Sequence, residues 1–85
     1  MEVAAWLITF ASTHEAFAFE DAAQADALAG RIVPLPAAIS AGCGLSWKTP
    51  PDAPGLAAFL AGRSVRYQEV FRYGGDRSYH RMERP

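Results

Sequence analysis

Residues Ala4 to Phe10 form an apolar run, and one residue later the chain reads Ser12-Thr13-His14-Glu15. The run contains Trp6, Leu7, Ile8 and Phe10 and is too short for a helix of its own, so it reads as a central strand. Ser12 to Glu15 is a helix-start pattern, in which a hydroxyl and a glutamate three residues on satisfy each other's orphan backbone donors. A buried strand therefore passes almost directly into a helix. That junction restricts the chain to folds in which helices pack on a sheet.

The first helix is predicted to run to about Ala29. Ala16, Phe19, Ala23 and Ala27 recur at helical spacing on one side, with Glu20, Asp21 and Gln24 on another, and Gly30 provides the stop. Phe17 and Leu28 fall on the polar side, where they could touch a partner. Arg31 to Leu35 reads as a short strand. Pro34 lacks the donor that an interior strand needs, which places this strand at a sheet edge. Pro36 to Ser40 is a turn, and Leu45 to Lys48 alternates again, with Leu45 and Trp47 on one face and Ser46 and Lys48 on the other.

Thr49-Pro50-Pro51-Asp52-Ala53-Pro54 is a rigid connector, with Asp52 as the expected cap of a second helix from Ala53 to Ala61, ended by Gly62. Val65 to Tyr73 is the last predicted strand, with Val65, Tyr67 and Phe71 at alternate positions. Gly74-Gly75 ends it. The order β-α-β-β-α-β is that of a ferredoxin-like α+β sandwich, a four-stranded antiparallel sheet with both helices on one face. The expected organisation is one domain over residues 1–75 and a polar, mobile C-terminal tail over 76–85. An apolar open sheet face would favour a homodimer or another partner.

Half of the composition is hydrophobic, 51% of 85 residues, which suffices for one core. A single cysteine cannot form an internal disulfide and fits a reducing, cytoplasmic setting. No segment has the length of a membrane span, and the N-terminus lacks a signal-peptide pattern. Arg63, Arg66, Arg72, Arg77, Arg81 and Arg84 cluster toward the C-terminus but are interleaved with Glu69, Asp76 and Glu83. This makes no dense basic patch, which argues against nucleic acid as a partner.

Cys43 stands between Gly42 and Gly44 in Ile39-Ser40-Ala41-Gly42-Cys43-Gly44-Leu45. Flanking glycines permit unusual backbone angles and leave room for another molecule to reach the sulfur. In the expected topology this loop lies at the same end of the sheet as Ser12, Thr13 and His14, and the second helix brings Arg63 there. The positive end of the first helix dipole, with His14 or Arg63, would favour a thiolate. His14 is otherwise part of a capping sequence. Cys43, His14 and His80 lack the paired spacing of a zinc site, there is no resolving cysteine for a two-cysteine redox enzyme, and the Gly-Cys-Gly loop lacks the lysine and hydroxyl of a phosphate loop. The bland reading of Cys43 is a structural thiol facing the core.

Thr9-Phe10-Ala11-Ser12-Thr13-His14, the alanine-bearing helix, Pro34-Leu35-Pro36 and the Ile39–Leu45 run resemble the small bacterial proteins of the putative selenium/sulfur carrier protein-like family, over roughly Trp6 to Tyr73. The resemblance implies that Cys43 is the carrier cysteine, with Ser40 and Gly44 in the loop around it. It implies a sulfur or selenium carrier rather than an enzyme. Such a carrier holds its cargo as a persulfide without any cofactor or metal and exchanges it with donor and acceptor proteins. Docking would involve Ser12, Thr13, His14, Ser40, Gly42, Gly44 and Arg63. The alternative is a non-catalytic interaction or small-ligand module that uses the open sheet face, with a structural cysteine.

Overall fold

A computed structural model describes residues 4–39, 43–53, 55–62, 65–74 and 78–82. Its elements are β1 (Ala5–Thr9), α1 (Thr13–Ala25), β2 (Arg31–Pro34), β3 (Leu45–Thr49), α2 (Leu56–Gly62), β4 (Val70–Tyr73) and β5 (Tyr79–Met82). The strands form one sheet in the order β2-β3-β1-β4-β5, and every neighbouring pair is antiparallel. As expected, β1 is central and the proline-bearing β2 lies at an edge. None of the helices among the described residues is long and apolar enough to cross a membrane.

The expected four-stranded sheet is corrected to five strands. Residues 79–82, assigned from sequence to a polar tail, form β5 and pair with β4 from Val70↔Met82 to Tyr73↔Tyr79. Their polar composition carries no strand-like apolar alternation. Cross-strand contacts hold them instead: Tyr73 and Tyr79 stack with ring centroids 4.9 Å apart, and Arg81 Nε lies 3.5 Å from Glu69 Oε2.

Both helices cover the same sheet face. Ile8, Trp47 and Val70, from three adjacent strands, pack with Ala16, Phe19 and Ala23 of α1 and with Phe59 and Leu60 of α2. Phe19 is the hub, with ring centroids 5.2 Å from Phe10, 5.6 Å from Trp47 and 5.1 Å from Phe59. Among the described residues no helix lies on the second face. Leu7, Phe71, Tyr73 and Tyr79 project there at alternate positions, together with Arg31, Lys48 and Arg81.

Four local expectations are corrected. Helix α1 ends at Ala25 rather than near Ala29, and Ala27, not Gly30, takes the left-handed conformation (φ 56°). The Leu28 N–H donates to the Ala23 carbonyl at 2.8 Å and the Ala27 N–H to that of Gln24 at 3.1 Å, the paired bonds of a Schellman motif. That turn drives Leu28 into the core, where it is buried, whereas Phe17 remains exposed. Asp52 does not cap α2, which begins at Leu56. Strand β4, expected from Val65, starts at Val70 because Gln68 and Glu69 both oppose Thr9: the Gln68 N–H donates to the Thr9 carbonyl and the Thr9 N–H to that of Glu69. The extra residue shifts the alternation, so Val70 faces the core and Phe71 the other side.

Gly30 has φ +144°, and a Cβ there would lie 2.6 Å from Trp47 Nε1 and 2.7 Å from the Lys48 carbonyl oxygen. It is a close-approach glycine that lets the chain cross over the indole rather than a helix stop. Two stability changes of opposite sign are expected in chemical denaturation. Ala27→Gly should stabilise the protein by about 1 kcal/mol, by removing the penalty of a Cβ in the left-handed region. Gly30→Ala should destabilise it by about 1–3 kcal/mol through overpacking against Trp47.

Candidate functional site at the Cys43 end of the sheet

The β1–β3 register, Trp6↔Thr49 to Thr9↔Ser46, sets the start of β3 beside the end of β1. Cys43 therefore lies at the same end of the sheet as Ser12, Thr13 and His14, as the connectivity implied. The segment from Val65 to Glu69 returns to this end as well, through the Thr9 contacts. Ser40, Gly42 and Arg63 fall outside the described residues; of the residues expected at the site, Cys43, Gly44, Ser12, Thr13 and His14 share this end of the sheet.

Helix α1 starts in the predicted manner with a shifted partner. Ser12 is the N-cap, and its Oγ accepts from the Glu15 N–H at 3.2 Å. The Glu15 carboxylate reaches back to the Ala11 N–H at 3.2 Å, one residue before the cap. Ser12 Oγ is thus occupied by the helix terminus. Thr13 and His14 are exposed on the first turn.

Cys43 is half-buried and packs against the core cluster. It occupies the rim, between the buried structural position and the fully open one. Its thiol makes two contacts with one residue: the Leu45 N–H donates to Sγ at 3.4 Å, and Sγ–H donates to the Leu45 carbonyl at 3.6 Å. Leu45 would be the next partner of β1 after Ser46. At that point β1 leaves the ladder, and Ser12, the N-cap of α1, follows two residues after Phe10. The cysteine side chain takes over both of Leu45's backbone groups and caps the β3 end. Sequence reading missed this role, since nothing in a Gly-Cys-Gly pattern shows where a ladder stops.

The two contacts differ in what chemistry they tolerate. Donation from the Leu45 N–H persists when the sulfur is an anion, whereas donation from the thiol disappears with its proton. Gly44 has φ +77°, and among the described residues, its chain neighbours apart, no atom lies within 4 Å of where a Cβ would stand. Its requirement is conformational. Among the described residues, no three of His, Cys, Asp and Glu gather into a group that could hold a metal ion.

Two substitutions separate scaffold from chemistry at this end. Gly44→Ala is expected to cost about 1 kcal/mol from the positive φ alone, and Ser12→Ala about 1 kcal/mol from the lost cap. Both should leave the alkylation rate of Cys43 within a factor of about two of wild type once unfolding is allowed for. Denaturation curves and timed alkylation of the same samples measure the two effects.

A family model described as putative Se/S carrier protein-like matches the chain over residues 5–72. No curated protein matches it, and no solved structure does.

Proposed function

The chain belongs to the putative Se/S carrier protein-like family, and from that membership we propose that Cys43 carries sulfur or selenium between a donor and an acceptor protein. The observation that carries this reading is the family match on a chain with one cysteine. A sulfur-carrying role by a thiol then has one candidate. Its place on the rim supports access for a partner.

In the proposed exchange the Cys43 thiolate attacks the terminal sulfur of a donor persulfide. A new S–S bond forms at Cys43 as the donor's own S–S bond breaks, and the donor leaves as a thiolate. The sulfane sulfur changes hands without any external oxidant. A nucleophile on the acceptor reverses the step, takes the terminal atom and returns Cys43 to a thiolate. Selenium would travel in the same way as the outer atom of an S–Se bond. The protein is a carrier in this scheme and not an enzyme. A reducing compartment such as the cytoplasm is its setting, because there the single thiol stays free.

Leu45 gives the cycle a structural counterpart. Its N–H contacts the sulfur and can keep donating to it as thiolate or persulfide, while its carbonyl accepts a bond only from the protonated thiol. Docking falls to the surface at this end of the sheet, where Thr13 and His14 are exposed, and Ser40, Gly42 and Arg63 belong to the same proposal by their place in the chain. The antiparallel sheet with two helices on one face supports relating the fold to ferredoxin-like sandwiches, with β5 as an addition at the edge.

The second reading, a module whose cysteine is structural, draws on the capping contacts of the thiol. Cys43→Ser separates the two, because a serine hydroxyl can keep both contacts with Leu45. The variant should fold with wild-type circular dichroism and show no added sulfur by intact mass after exposure to a persulfide donor, whereas wild type gains one sulfur atom. Equal sulfur uptake by the serine variant would overturn the carrier role.

A further inference from the structure

At the opposite end of β3 from Cys43, Arg31 and Lys48 are direct cross-strand partners on the second sheet face. Like charges placed opposite one another in an antiparallel pair destabilise it. Neither has a carboxylate partner among the described residues. The carboxylate described on this face, Glu69, pairs with Arg81. Lys48 instead leans across β1, with its Nζ 5.6 Å from the centroid of the Tyr73 ring.

The two cations line one cleft of about 380 Å³, together with Gly30, Ala5, Thr49 and Pro50. That volume lies within the range of small-ligand sites, roughly 300–1,000 Å³. The cleft joins a doubly basic wall to an apolar one made by alanine and proline. The strand register sets the two cations side by side along the backbone, and the lysine head swings from the Tyr73 ring toward Arg31 to meet a ligand. An arginine fork beside a lysine point charge suits a tetrahedral oxyanion, and the alanine–proline wall suits a compact apolar body attached to it.

We propose that this cleft binds a small organic phosphate monoester, whose phosphate sits between Arg31 and Lys48 and whose apolar part lies against Ala5 and Pro50. Bound phosphate neutralises the repulsion between the two cations, so the ligand stabilises the sheet edge it occupies. The site is independent of the thiol chemistry, which lies at the other end of β3.

The test uses the full chain at low ionic strength, with phenyl phosphate as the probe and inorganic phosphate and phenol as the two half-ligands. Amide chemical shifts and thermal melting are followed in wild type, Arg31→Gln, Lys48→Gln, the double variant and Arg81→Gln. Phenyl phosphate should shift the amides of Gly30, Arg31, Lys48 and Thr49 and bind more tightly than either half-ligand. Each single cleft variant should bind it about tenfold more weakly, and Arg81→Gln should bind it as wild type does. Without ligand the cleft variants should melt at or above the wild-type temperature, because repulsion is relieved, and with saturating phenyl phosphate that order should reverse.

Unshifted Gly30, Arg31, Lys48 and Thr49 amides would overturn the site. Equal weakening by Arg81→Gln would reduce it to overall charge, and equal binding of inorganic phosphate would remove the apolar wall from the recognition. A double variant that melts far below wild type without ligand would show the two cations to be structural, and would equally refute the proposal.

Discussion

Phe19 is the contact on which the other elements depend. Its ring meets Phe10 at the strand–helix junction, Trp47 in β3 and Phe59 in α2. One side chain therefore ties the first helix to the sheet and to the second helix. Aromatic pairs in tilted or edge-on geometry contribute about 0.5–1.5 kcal/mol beyond their burial, and three of them converge here. β1 leaves its ladder after Thr9, and the chain turns from there into the cap of α1. The N-cap Ser12 comes three residues after Thr9, and Leu45 is left for Cys43 to complete.

The end of that ladder explains the position of the thiol. A cysteine in an interior strand would be sealed, and one in a free loop would have no fixed place. At the end of a ladder it is held by backbone groups on one side and remains half-buried. The carrier role proposed for Cys43 would draw on such a compromise, since donor and acceptor would both have to reach the sulfur and leave it in one geometry. The Arg31–Lys48 cleft lies about 10 Å along β3 from Leu45, which holds the sulfur, at roughly 3.4 Å per residue, so the strand separates a thiol end from a cationic end.

Much of the fold was legible because period and punctuation agree. The apolar run of β1, the Ser12 cap, the Ala16-Phe19-Ala23 stripe and the edge position of β2 each rest on local chemistry that the environment does not reverse. The misses have local causes too. Leu28 looked polar-faced because its position was projected along a helix that in fact ends at Ala25. The alternation through Val65, Tyr67 and Phe71 was broken by the extra residue opposite Thr9, and a bulge leaves no compositional mark. Strand β5 is polar and is held by pairing with β4, so its periodicity could not reveal it.

Of the site, Cys43, its glycine neighbour and its place at the Ser12 end could be read from residue types and connectivity. By itself the amino-acid sequence determined that the chain is an α+β fold with one thiol in a glycine-flanked loop, because those features rest on composition, caps and short-range periodicity. Only the tertiary structure decided that Leu45 holds the sulfur, that a fifth strand closes the sheet edge, and that Arg31 faces Lys48. Each of those depends on register, which is set where distant segments meet and is not written in any one of them.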